Sequence, residues 1–577
     1  MKFFSLCLGS LLLGGGAWAQ AAPANPAANP VQTLIERFTT DRILIDNVYA
    51  DPLAPVTHKR IAAFDKEWRA KLAEVRFDGL DQEGKVDYLL LAQHIAREEH
   101  AQQLATKQWS EVEPLLPVAK DIFALEEARR VVARPDGQKT AALLAEMSAA
   151  LEARRKALEA DGAQRPSRIT AWRAADDLDI LHARMKLWFT FYNAYDPQFT
   201  WWVTQPWKQL DASMTQYTGF LREKMAGIAP DDKVTIIGTP IGRDALVNSL
   251  ADEMIPYTPE ELIAMAREQM AWCQREMIKA SREMGYGDDW HKALEKAKDH
   301  YVAPGEQPQA IYKMAKDAEE YVVKNDLVTV PALASEGWRT DMMTPEQQMV
   351  NPFFTGGDTI NISYPTDSMS YAQRLMSMRG NNYGFAHATV FHELIPGHWL
   401  QMYSIARNRP YRQIFDTPFW VEGNALYWEL TLWDRGFDAT PEEKIGALFW
   451  RMHRCARIVF SLSFHLGQMT PEQATDYLVK EVGHERDNAA AEVRRSFNGS
   501  YDPLYQCAYL LGGMQFRALH DEMVKPGKMT DKQYNDRILE ENEMPIELLR
   551  ALIENKTLTP EYKANWRFLD APVNQAK

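Results

Sequence analysis

Five times the chain spells Thr-Pro-Glu, starting at Thr258, Thr344, Thr440, Thr470 and Thr559. A threonine hydroxyl can accept from the backbone N–H groups left over at a helix start, and a proline just behind it lacks an N–H and has its φ already helical. Four of the five add Glu261, Gln347, Glu443 or Gln473 three residues past the threonine, the position that closes a capping box. These signals predict a mainly α-helical chain. Helical spacing of Tyr88, Leu91, Ala92 and Ile95, and of Leu144, Met147 and Leu151, agrees. One stretch departs: after Gly356-Gly357, Ile360, Ile362 and Tyr364 alternate with Thr359, Asn361 and Ser363, which predicts a half-buried strand. It reads either as a small hairpin with Leu327-Val328-Thr329-Val330 or as an edge that takes an extended peptide backbone.

The densest polar chemistry lies at His392-Glu393-Leu394-Ile395-Pro396-Gly397-His398, two imidazoles and a carboxylate on an otherwise apolar run. Imidazole and carboxylate are the usual ligands of a catalytic zinc, and a further carboxylate beside the attacking water serves as base. The familiar His-Glu-x-x-His spacing puts both histidines on one helix face. Here the second comes six residues after the first, which on a straight helix at ~100° per residue leaves the two side chains roughly 120° apart. Pro396 removes a donor and crowds the preceding turn, and Gly397 tolerates unusual dihedrals, so a kink or bulge is expected there. Spacing alone leaves open a buried helix end with two unrelated histidines.

A second segment, Trp420-Val421-Glu422-Gly423-Asn424-Ala425-Leu426-Tyr427-Trp428-Glu429, reads as a following helix. A glutamate in so apolar a run is costly to bury unpaired, which makes Glu422 the candidate third ligand. Glu429, seven residues on, falls on nearly the same face and is either a partner that orients a histidine or a salt-bridged surface group.

His-Glu-x-x-Pro-Gly-His-x-x-Gln followed by Glu-Gly-x-Ala-x-Tyr-x-Glu resembles the bacterial domain of unknown function 885 family, a group similar to helical zinc metallopeptidases of the carboxypeptidase Taq and thimet-oligopeptidase kind. The likeness is densest from about Ile360 to Gly513. It implies a large helical zincin-like metallopeptidase with a small antiparallel β-element beside the active-site helix. It also implies one zinc ion per chain, His392, His398 and Glu422 as metal ligands, and Glu393 as general base. Glu492-Val493-Arg494-Arg495 is similar to a family segment, with Ser496 in place of its tyrosine. From Pro503 to Gly512, Tyr509 and Gly512 match the family pattern while Leu504, Tyr505 and Leu510 depart from it.

An oxyanion or a substrate terminus needs donors of its own. Tyr509 and then His465 are the candidates for the first task, Arg494, Tyr505 and Tyr501 for substrate contact, with Asn498 to Pro503 reading as a flexible loop. His387, His453, His484 and His520 read as structural.

At 577 residues with 46% hydrophobic side chains the chain can bury a large core, and a formal charge of -14 argues against nucleic acid or an anionic membrane surface as partner. Lys2, the apolar run Phe3 to Leu13 and Ala17-Trp18-Ala19 form an export signal over 1–19, too short to span a bilayer, which places the protein in the periplasm or outside the cell. A tether is expected over 20–30, an N-terminal helical region over 31–230 and a catalytic region over 231–577. Of Cys273, Cys455 and Cys507, the last two form either a bridge or, preferably, buried free thiols. The aromatic cluster from Trp188 to Trp207 reads as interhelical packing in preference to a cleft wall. The expected activity is hydrolysis of short peptides. Metal-dependent hydrolysis of non-peptide amides and a non-catalytic helical binding protein with a degenerate metal site are the alternatives.

Overall fold

A computed structural model describes residues 29–569 apart from 233, 349–353 and 500, so the export signal and the tether up to residue 28 lie outside the described residues. The expected tether ends early: the Asn29 side chain accepts from the Val31 N–H and starts a helix at Pro30. The chain is mainly helical, and its helix starts follow the capping signals. Thr258, Thr440 and Thr470 each close a full capping box with Glu261, Glu443 and Gln473. Thr344 does the same with Gln347. Thr559, whose third following residue is Tyr562, makes only a turn.

The sheet corrects the sequence reading. Strand β1, Arg339–Met342, and strand β2, Thr359–Ile362, pair in parallel, Ile360 against Thr340, and together make a two-stranded sheet. The expected antiparallel hairpin with Leu327 to Val330 does not form; Leu327 and Val328 are buried in the helical core instead. Among the described residues, antiparallel contact is limited to a single bridge from Thr355 to Asn361. Ile360 and Ile362 are buried, as the alternation demands.

Six helices build the site: α1 Tyr383–Glu393, α2 His398–Ile405, α3 Pro418–Asp434, α4 Pro441–His465, α5 Arg486–Phe497 and α6 Tyr505–Val524. Helix α4 is buried from Leu448 through His465 and runs through the middle, packed on α1, on α6 and on the helix Pro259–Glu283. Burial on every side puts this helix in the core, its arginines and histidines included. One large core joins α1 to α6 with residues 31–95 at the other end of the chain, while Val112 to Leu221 form a separate apolar cluster. The stretch 31–230 is therefore not a single packing unit. Trp188, Tyr192, Phe199 and Trp207 fill that second cluster, whereas Tyr195 and Trp201 stay exposed.

Among the described residues, Cys273, Cys455 and Cys507 are free and buried. Cys455 and Cys507 make no bridge, and the thiol beside Cys455 is that of Cys273. Among the described residues no helix is long and apolar enough to cross a membrane.

Candidate metal centre

The Pro-Gly interruption does more than kink the helix. Helix α1 stops at Glu393, the Ile395–Pro396 peptide is cis, and a new helix, α2, opens at His398. The N–H of Gly397 turns back to the Phe391 carbonyl at 2.9 Å. A Cβ at position 397 would sit 1.9 Å from the His392 carbonyl oxygen, so only glycine lets the chain double back this tightly. The two badly phased imidazoles come face to edge, ring centroids 4.7 Å apart and planes at 89°.

Helix α3 delivers the third group. Glu422 Oε2 lies 3.4 Å from His392 Nε2 and 3.3 Å from His398 Nε2. It is buried and accepts no hydrogen bond. Four tetrahedral ligands at zinc bond lengths of about 2.0–2.1 Å stand roughly 3.3–3.4 Å from one another, so the spacing around this orphaned oxygen suits such a cation. Ligand atoms of His392, Glu393 and His398 also lie within 4.8 Å of one another, which brings the candidate base to the same spot.

The other carboxylate oxygen explains how Glu422 is held. The Tyr505 hydroxyl donates to Glu422 Oε1 at 2.6 Å, made possible by the close crossing of α3 and α6. A Cβ on Gly423 would lie 2.6 Å from Gly512 Cα, and one on Gly512 would lie 2.2 Å from the Phe419 carbonyl oxygen. Behind His392, Glu429 Oε1 lies 2.7 Å from Nδ1, which leaves Nε2 facing Glu422 and makes Glu429 the orienting partner. On the other side of His398, Nδ1 is 3.2 Å from Gln401 Oε1.

Electrostatics follow from this packing. Burial opposes charge on His392, yet the neighbouring Glu422 and Glu429 hold its pKa up at about 9. His398 is raised in the same way: burial works against its charge and Glu422 prevails. Burial would raise Glu422, but the two imidazoles keep it well below the usual carboxylate range. Burial pushes the phenols of Tyr505 and Tyr509 up, so both remain proton donors at neutral pH.

These groups open into a cavity of about 260 Å³ lined by His392, Glu393, His398 and Glu422 and also by Tyr501 and Tyr509. Tyr509 stacks beside His392 with ring centroids 6.2 Å apart, and Tyr501 stacks on Tyr505 at 4.3 Å. Strand β2 does not line this cavity; the wall there is Phe354 and Thr355, with Thr355 bridged to Asn361. Gly356 follows so closely on Glu393 that a Cβ would lie 2.4 Å from its Oε2.

Two sequence candidates fall elsewhere. His465, at the end of α4, is buried beside Phe464 and Phe497, away from the cavity, and burial lowers its pKa to about 4. Arg494 reaches the Val234 carbonyl; its neighbour Arg495 lines the cavity. Sequence reasoning passed over Arg454 and Arg457, which also line it, and set aside His453, which does too. The available signal was a run of arginines at 451, 454 and 457 within an otherwise apolar helix. A larger cavity of about 490 Å³, lined by Arg97, His100, Asp252 and Tyr505, holds none of the three ligand candidates.

The family model for bacterial proteins of unknown function, DUF885, matches residues 38–553. Among solved structures, a protein from Shewanella oneidensis classed as a lipoprotein of unknown function is similar with a TM-score of 0.67 at 17% identity, covering 91% of this chain and 100% of its own. A protein from Colwellia psychrerythraea, also classed as a lipoprotein, gives 0.59 at 15% identity over 91% and 98%. At such identities the likeness establishes a shared fold. No curated protein sequence matches the chain.

Proposed function

The chain belongs to the bacterial DUF885 family, and from that premise we propose that it is an exported zinc-dependent peptidase acting on short peptides. The observation that carries this reading is the buried, hydrogen-bond-free Glu422 Oε2 facing two imidazole nitrogens at 3.3 and 3.4 Å. A buried carboxylate oxygen that accepts no hydrogen bond is costly, and a cation shared with His392 and His398 would remove that cost. Two imidazoles and one carboxylate favour zinc among common divalent ions. Bound there, it would polarise a peptide carbonyl and an attacking water.

Glu393, within reach of both histidines, takes a proton from the water and returns it to the leaving amine. Tyr509 lines the same cavity as a protonated phenol and is positioned to donate to the oxyanion that develops on the carbonyl. Glu429 and Tyr505 keep the ligands oriented. Export is supported by the basic, apolar and small-residue pattern of 1–19 and by both structural relatives being classed as lipoproteins.

Glu393→Gln should retain one zinc per chain by elemental analysis while peptide turnover disappears. Hydrolysis that survives in this variant would remove Glu393 from the role of base, and a wild-type protein that takes up no stoichiometric metal would overturn the centre itself.

A further inference from the structure

Opposite the ligand cluster the cavity wall is cationic. Arg454 and Arg457 on α4 and Arg495 on α5 all line it. Arg454 and Arg457 are nine-tenths or more buried, and their guanidinium carbons stand 4.8 and 4.5 Å from the Tyr509 ring centroid. One carboxylate serves this wall directly: Glu492 accepts from Arg457 Nε at 2.7 Å and lies 3.0 Å from Arg495 Nε. Arg454 comes no nearer than 3.6 Å to Glu429, which His392 already engages. Three buried donors of this wall, Arg457 Nη1, Arg454 Nε and Arg495 Nε, make no hydrogen bond, although Arg495 Nε stands close enough to Glu492 for an ion pair. Buried guanidinium donors left unpaired are costly unless something satisfies them.

Charge around the cavity points the same way. His453 and His484 pair with each other at 2.8 Å and are kept neutral by burial. With a divalent cation held by His392, His398 and Glu422, that ion and the three guanidinium groups would stand against the carboxylates of Glu393, Glu422, Glu429 and Glu492, leaving one positive charge unanswered. A guanidinium fork matches a carboxylate in shape as well as sign.

We propose that Arg454, Arg457 and Arg495 form a subsite for the free C-terminal carboxylate of a peptide, so that cleavage occurs close to that end. The inference rests on the peptidase reading for its reaction, but the subsite itself is a binding claim. Tyr509 touches both the His392 ring and the two guanidinium groups. At about 3.3–3.6 Å per extended residue, contact of Tyr509 with both groups leaves room for only a short stub of chain between the carboxylate and the attacked carbonyl. Release of one or two residues from the C-terminus is the expected outcome.

The test separates binding from turnover. With the metal-loaded Glu393→Gln protein, calorimetry compares a tripeptide acid with the same tripeptide bearing a C-terminal amide. The acid should bind at least tenfold more tightly, and Arg457→Met or Arg454→Met should erase that preference. Arg495→Gln, at a more exposed position, provides the same readout if the buried replacements do not fold. Equal affinity for acid and amide overturns the subsite, as does a preference that survives in all three variants. In the wild-type protein, a library digest read by mass spectrometry should show cuts within two residues of free carboxyl ends, and cuts indifferent to the amide also overturn it. An acid preference without any hydrolysis upholds the subsite and sinks the peptidase reading alone.

Discussion

Replacing Gly512 by alanine tests whether the crossing of α3 and α6 sets the ligand geometry. The new methyl would lie 2.2 Å from the Phe419 carbonyl oxygen and 2.8 Å from Gly423 Cα, both backbone atoms. Ordinary contact begins near 3.4 Å, so α6 must withdraw by about 1 Å at this point. Tyr505 starts the same helix, and its 2.6 Å bond to Glu422 would stretch beyond hydrogen-bonding range. Overpacking costs about 1–3 kcal/mol, and a lost bond to a charged group about 1.5–3 kcal/mol more. Unfolding entropy of about 2.1 cal/mol/K per residue over 577 residues makes each kcal/mol worth about 0.8 °C in Tm, so the melt should fall by roughly 2–5 °C. Zinc affinity, measured by competition with a chromophoric chelator, should weaken about 10- to 100-fold, as for loss of other ligand-orienting contacts. Gly513→Ala is the control: its methyl first meets the flexible Leu426 side chain at 3.2 Å, and its zinc affinity should stay within about twofold of wild type by the same reasoning. If Gly512→Ala binds zinc like the wild type, or if both variants weaken it equally, the crossing does not govern the centre.

Arg412 is fully buried and joins Asp87 at 2.7 Å to Glu541 at 2.9 Å, both fully buried as well; Arg412→Met removes the buried cation between them, leaving Asp87 to Asn29 and Tyr411 and Glu541 to Arg537, and should cost about 3 kcal/mol, the low end for a broken buried pair, in urea unfolding, where a loss below about 1 kcal/mol would contradict that. Burial raises the Glu253 carboxyl from 4.5 to about 7 against the opposing pull of Arg97. Its folded pKa therefore exceeds its unfolded one, and the stability it contributes is full below about 4.5 and lost as pH climbs through about 7, a swing of about 3 kcal/mol. Glu253→Gln should flatten that part of the stability curve between pH 4.5 and 8, and an unchanged slope in urea midpoints would exclude Glu253 as its source.

What was legible in the sequence was local. A capping box is a contract among four successive residues, so Thr258, Thr440 and Thr470 announced their helices, while Thr559 lacked the Glu or Gln and gained only a turn. The strand over Thr359–Ile362 was readable from its alternation, but its partner was not. Parallel pairing with Arg339–Met342 depends on a crossover through residues whose own pattern says nothing about the sheet.

The site divides along the same line. His392, His398 and Glu422 belong to two short motifs, and apolar surroundings marked each as a polar group with a task; the break at Pro396 and Gly397 then supplied the geometry. Arg494 and Arg495 show where such reading stops. One step along a helix turns a side chain by about 100°, so of two adjacent arginines one faces the Val234 loop and the other the cavity. Glu492 would have settled the phase, since it stands three residues before Arg495 and pairs with it. Tyr505 is the sharper case. It departs from the family pattern, which on sequence counted against it, yet its hydroxyl is the donor that fixes Glu422. What the position requires is a hydrogen-bond donor at the crossing of two helices, and a phenol can meet that requirement from a backbone brought close by Gly423 and Gly512.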